Sequence, residues 1–166
     1  MTDGQIETRS SGVVRGIAYR SRAGAPMVET QECRVLMKRG PDTEDRKPGT
    51  REVTLLSVEA WVEACLQLKA ALPWQARRAN FLVEGIDLAS TLGRTLSIGE
   101  VQIKVHGESR PCDVMEQQFK GLRAALVPDC RGGVHGQVLQ GGVIRVGDRV
   151  SVMPGRVAEV STRQES

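Results

Sequence analysis

Aromatic side chains are scarce in this sequence: two Trp, two Phe and one Tyr make up 3% of 166 residues. The apolar volume comes from aliphatic residues, with 20 Val and 6 Ile against 13 Leu, and 18 Gly supply turns. A β-branched, turn-rich composition points to a sheet or barrel and away from a helical bundle. No run approaches the roughly 18 apolar residues of a membrane span. The first eleven residues carry no apolar stretch of the kind an export signal needs, so the expected setting is the cytoplasm, with reduced thiols and no disulfide framework. Internal repeats, a GxGxxG dinucleotide fingerprint and a P-loop are all missing. Charge of one sign is also in short supply, since the net charge is only +3, too small a surplus to imply nucleic acid. At 40% hydrophobic and 26% charged, the composition excludes disordered, collagen-like and membrane classes.

What is present is arginine, 18 of the 23 basic residues, whose planar forks suit phosphate and carboxylate recognition. The length favours one domain, expected over residues 12–153 between polar tails at 1–11 and 154–166. Strands are expected at 13–19, 32–38, 52–56 and 81–83. A hairpin at 95–98 and 101–105 turns on Gly99-Glu100, with Val101, Ile103 and Val105 on its buried face. Three closely spaced strands within 134–152 read as a meander that closes a barrel. Ser57 can cap a helix in which Val58, Trp61, Val62, Cys65 and Leu66 fall on one face before Pro73. A second helix is expected from Asp113, as cap, to Pro128, weakened but not broken by Gly121. Residues 39–49, with two Pro, two Gly and dense charge, form a long loop.

Four cysteines divide by context. Cys33 lies on a half-buried strand and Cys65 on the apolar helix face, which makes both of them packing residues. Cys112 stands at a loop-to-helix junction, where free backbone N–H groups and Arg110 favour a thiolate while Asp113 opposes it. A buried, inert thiol remains the alternative. Cys130 sits in the charged turn Pro128-Asp129-Cys130-Arg131-Gly132-Gly133, open to a redox role, to pairing with Cys112, or to none. His106 and His135 read as solvent-facing strand residues, and neither pairs with a cysteine at zinc-ligand spacing. Arg77-Arg78-Ala79-Asn80, Arg20 with Arg22, and Arg131 beside Gly132-Gly133 offer groups for an anionic, hydrogen-bond-rich ligand.

The order and spacing of Gly24-Ala25-Pro26-Met27, Glu52-Val53-Thr54-Leu55-Leu56, Arg77-Arg78-Ala79-Asn80-Phe81-Leu82-Val83-Glu84-Gly85-Ile86, Leu92-Gly93, Ile98-Gly99-Glu100-Val101, Arg110-Pro111-Cys112, Arg131-Gly132-Gly133 and Gly142-Val143-Ile144-Arg145-Val146-Gly147-Asp148 resembles the MOSC family. This is the domain named for the C-terminal part of molybdenum cofactor sulfurases, here in its small stand-alone bacterial form. The resemblance implies a mainly β fold, a mixed-strand barrel of the pyruvate-kinase-barrel type with two or three rim helices. It also implies a molybdenum cofactor (molybdopterin) site in which Cys112 ligates molybdenum or carries sulfur, with Arg78, Asn80, Arg110 and Arg131 as cofactor-binding residues. Relatives of this kind reduce N-hydroxylated compounds with electrons from a flavin or iron-sulfur partner, and this chain has no cluster or flavin motif of its own. Residues 40–47 lack the Gly-Asp pair and the His that many relatives carry after the second strand. The activity the resemblance implies is thus molybdopterin-dependent reduction or sulfur transfer, and two further readings stand beside it: a cofactor carrier without turnover, and a redox sensor using Cys112 and Cys130.

Overall fold

A computed structural model describes residues 10–44, 49 and 51–154. The tails expected at 1–11 and 154–166 lie almost wholly outside these residues, as do positions 45–48 of the expected loop.

Eleven strands are described: β1 (Ser11–Tyr19), β2 (Val28–Thr30), β3 (Glu32–Leu36), β4 (Gly40–Pro41), β5 (Val53–Ser57), β6 (Phe81–Glu84), β7 (Thr95–Ile98), β8 (Val101–Glu108), β9 (Val134–Gln140), β10 (Gly142–Arg145) and β11 (Arg149–Val152). Seven of them close into a barrel in the order β11-β7-β8-β9-β5-β6-β1, the seam being the β1–β11 pairing of Ser11 with Ser151 and Val13 with Arg149. All neighbours are antiparallel except β5 and β6, which run parallel because a helix, α1 (Val58–Leu68), carries the chain between them. Strand β2 extends the sheet past β1, and β10-β3-β4 form a second small sheet. The barrel is therefore mixed and mainly β, as the composition and the resemblance imply.

Alternation fills it. Phe81 and Val83 of β6 and Val101, Ile103 and Val105 of β8 are buried in the same core, which Cys33, Val35 and Ile144 of the small sheet also enter. The predicted β7–β8 hairpin forms with Ile98 opposite Val101. The three C-terminal strands, by contrast, are not a meander. Strand β9 pairs with β8 and β5, β10 leaves for β3, and β11 returns to bridge β7 and β1. Short glycine turns made them look like neighbours, but their apolar faces are satisfied by different partners.

A second apolar cluster lies between the helices and Leu56 of β5 and Leu82 of β6. Ser57 caps α1 as expected, accepting the Ala60 N–H at 3.0 Å. The buried stripe of α1 is Trp61 and Ala64 with Cys65 and Leu68 beside them, whereas Val62 and Leu66 are exposed. The expected second helix is two pieces, α2 (Asp113–Gln118) and α3 (Leu122–Ala125), with Phe119 extended between them and Gly121 left-handed at φ 91°. The break lets Glu116 cap the second piece by accepting the Gly121 N–H at 2.9 Å. Cys112, not Asp113, occupies the cap position of α2, and Asp113 pairs with Arg123. Among the described residues no helix is long and apolar enough to cross a membrane.

Phe81 is fully buried and is the largest side chain of the barrel core. Phe81→Ala is expected to cost about 3–5 kcal/mol through lost burial and the cavity left behind. A urea melt showing a loss under about 1 kcal/mol would contradict this placement of the core.

Candidate functional site

Five arginines, Arg20, Arg51, Arg77, Arg78 and Arg110, line one cavity of about 270 Å³ together with Cys112 and Ser109, and among the described residues no carboxylate lines it. They arrive from four segments. Arg20 follows β1, and Arg51 precedes β5. Arg77 and Arg78 end the 3-10 turn Trp74–Arg77, which Pro73 starts with its fixed φ near −66°. Ser109, Arg110 and Cys112 follow β8. Arg78 is held left-handed at φ 65°, an unusual conformation for a residue with a side chain. Its backbone N–H donates to Gln75 O, and its guanidinium reaches Ala25 O at 2.7 Å.

Arg77 is half-buried, and its guanidinium is held by the backbone and by Met115. Its Nε donates to Gly132 O at 2.9 Å, its Nη2 to Ser109 O at 2.7 Å and its Nη1 approaches Met115 Sδ at 3.6 Å. None of these partners is a carboxylate, so the guanidinium is hydrogen-bonded but its charge is not neutralised. Burial lowers its pKa, the neighbouring Cys112 acts in the opposite sense and Arg51 adds to the lowering. Gly132 makes the grip possible: a Cβ there would stand 2.5 Å from Ser109 O and 3.2 Å from Arg77 Nη2. Gly133, at φ 92°, would meet Leu55 O at 2.1 Å. The two glycines thus admit neighbouring backbone and Arg77, where the sequence pointed to a ligand.

Cys112 is exposed, with extended backbone, and its thiol makes no capping hydrogen bond to α2. All four cysteines are free. Arg78 and Arg110 share the cavity with Cys112, and Arg110 makes no hydrogen bond or ion pair among the described residues. Asn80 and Arg131 stand elsewhere. Asn80 is 1% exposed, and its amide is spent on the wall behind Arg20 and Thr54. It accepts from Thr54 N at 3.1 Å and donates to Ala18 O at 3.2 Å and to Glu44 Oε2 at 2.9 Å. That same Glu44 oxygen accepts the Arg20 N–H at 3.1 Å, so the described part of the charged loop is folded around a buried carboxylate.

Arg131 donates to Gln67 Oε1 and Ala125 O and lines a separate cavity of about 350 Å³ with Glu59, Glu63, Asp87, Asp129 and Cys130. Cys130 is half-buried, not exposed, and it does not share a cavity with Cys112. Burial first, then Glu108 and Asp87, push its thiol up to about 11. Cys33 is likewise pushed up to about 11, by burial, Glu44 and Asp42. His135 is buried against Gly107 instead of facing solvent, while His106 is exposed and pairs with Gln137. No group of three or more metal-ligating residues occurs among the described residues. Sequence reasoning missed Arg51 and Ser109. Each is a single polar residue next to a strand, and only the barrel's curvature brings them to the cavity.

The family model for the MOSC domain matches residues 49–151. No curated protein matches the sequence. Among solved structures, the YuaD protein of Bacillus subtilis superposes with a TM-score of 0.73 at 16% identity, over 88% of this chain and 97% of that one. YiiM of Escherichia coli does so at 0.66 and 12%, over 87% and 71%. YiiM of Geobacillus stearothermophilus gives 0.58 and 16%, over 88% and 75%. Likeness at these identities concerns the fold.

Native-state alkylation at pH 8 is expected to modify Cys112 first and to spare Cys33 and Cys130, read by peptide mass mapping. Modification of Cys130 at the Cys112 rate would contradict the burial described. The two raised thiols also set a pH window. The folded state keeps protons that the unfolded chain has released above about pH 9, so stability is full below that and falls as pH rises toward about 11.

Proposed function

Because the chain belongs to the MOSC domain family, we propose that it binds a molybdenum cofactor in the arginine-lined cavity, with Cys112 as the ligand to molybdenum. The observation that carries this reading is the composition of the lining: five guanidiniums, one exposed thiol and, among the described residues, no carboxylate. That donor set fits the group. A pterin cofactor with a phosphate presents a dianion, for which planar forks are matched partners, and a thiolate is a soft ligand suited to a thiophilic metal.

Arg78 and Arg110 would hold the phosphate, and Arg77 would supply fixed positive charge in the same cavity. Asn80 acts at one remove, by fixing Thr54 and the Glu44 carboxylate that holds the Arg20 backbone. Arg131 fastens the 128–133 turn to α1 and α3, which keeps Gly132 against Arg77. When bound, the cofactor supplies a centre that accepts and delivers two electrons. The reaction we assign is the reduction of an N-hydroxylated compound, in which two electrons and two protons convert N–OH to N–H and water. In this reading the electrons come from a flavin or iron-sulfur partner protein, because the sequence carries no cluster or flavin motif of its own. The part of the chain is to orient the anionic cofactor through its guanidiniums and to present the thiol.

Expression in a cofactor-producing host followed by metal analysis tests this. Wild type is expected to carry molybdenum near one per chain, and Cys112→Ser and the double variant Arg78→Ala/Arg110→Ala at least tenfold less. Equal molybdenum in wild type and Cys112→Ser would remove Cys112 as ligand, and no molybdenum in any of them would leave the cavity without this cofactor. An N-hydroxy substrate supplied with a reductase then separates turnover from carriage.

A further inference from the structure

Only two buried side-chain oxygens or nitrogens among the described residues have no hydrogen-bond partner, Glu52 Oε2 and Ser109 Oγ. Glu52 is not among the lining residues of the arginine cavity; its other carboxylate oxygen accepts the Val138 N–H at 2.9 Å. Ser109 lines that cavity three residues before Cys112, and the residue is 5% exposed. Both of its backbone groups are used, the N–H by Gly133 O at 2.8 Å and the carbonyl by Arg77 Nη2 at 2.7 Å. The residue is therefore fixed on both sides while its hydroxyl has nothing to bond. A buried hydroxyl without a partner is costly relative to one in water, and an alanine in the same place would avoid that cost.

We propose that Ser109 Oγ is a ligand-binding group, donating a hydrogen bond to an oxygen of the anion that enters the cavity beside Arg77. The proposal deepens the cofactor reading and rests on that cavity being the anion site. The placement supports it independently of any charge count. Arg77 grips the serine carbonyl, so cation and hydroxyl are held in a fixed relation. A tetrahedral oxyanion can meet a guanidinium edge and a hydroxyl at once, and a hydrogen bond to a charged acceptor is among the stronger kinds. Arg77 contributes attraction, whereas the hydroxyl contributes direction and selects an acceptor oxygen over a purely ionic fit.

The test uses inorganic phosphate as the probe for the phosphate end of the ligand, on the whole chain, by calorimetry and by thermal melting without added anion. Arg78→Ala and Arg110→Ala mark the cavity by weakening binding. Ser109→Ala is expected to weaken phosphate binding about tenfold. Its melting temperature without phosphate should be equal to or above that of wild type, because the variant sheds an unpaired hydroxyl. That combination is not what a structural hydroxyl would produce. Undiminished affinity in Ser109→Ala, with wild type binding phosphate and the two arginine variants impaired, would overturn the role of Ser109 and leave the cavity reading intact. Weakened affinity accompanied by a melting temperature several degrees lower would also overturn it, by showing that the hydroxyl serves the fold. A wild type that binds no phosphate would overturn the anion site and this inference together.

Discussion

The hydrogen-bonded, half-buried guanidinium of Arg77 is the interaction on which the site depends. Through two carbonyls and a thioether it ties together the segment leaving β8, the glycine turn before β9 and the helix that follows Cys112. Each charged hydrogen bond of this kind contributes on the order of 1.5–3 kcal/mol when its removal would leave a buried carbonyl unpaired. The charge itself is left over. A half-buried cation bonded only to neutral groups has lost part of its hydration without gaining a counter-charge, and an anion placed nearby supplies one. Cohesion and ligand preference thus come from one side chain.

The barrel supplies what Arg77 needs. Parallel pairing of β5 and β6 around α1 leaves the turn Trp74–Arg77 just before the start of β6. Direct pairing of β8 with β9 brings the segments beyond Glu108 and before Val134 side by side, so the carbonyls of Ser109 and Gly132 both accept from the one guanidinium. The 128–133 turn then separates two cavities of opposite character, an arginine bowl holding Cys112 and an acidic cavity holding Cys130. Burial first, then the carboxylates of Glu108 and Asp87, raise the affinity of the Cys130 thiol for its proton, while among the described residues no carboxylate lines the bowl around Cys112. Two cysteines of similar sequence setting are in this way given different electrostatic surroundings.

Elements whose partners are local were legible in the sequence. The β7–β8 hairpin turns on two residues, and Ser57 caps the helix that follows it, so both could be read from adjacent positions. Cys112 stood out for the same reason, since Pro111 and the start of α2 are its neighbours. What could not be read depends on distant partners. Strand β10 looked like part of a meander because nothing local says that β3 will take it. Helix α2 ends early because Glu116 finds a better use capping α3, a choice made by packing against Leu68 and its neighbours and not by propensity alone. Asn80 and Arg131 carry the residue types of a ligand site, yet the fold spends them on Glu44 and on Gln67. Arg51 and Ser109 carry no local signal and acquire meaning only when the barrel closes.

The central claim is that the uncompensated charge of Arg77 makes this bowl the place where the protein takes an anion. The most direct measurement is the anomalous scattering of tungstate in soaked crystals of the whole chain. The account predicts an ordered peak within the bowl, in contact with the guanidiniums of Arg77, Arg78 or Arg110 and near the Cys112 sulfur. An empty bowl at tungstate concentrations that label other sites would contradict it.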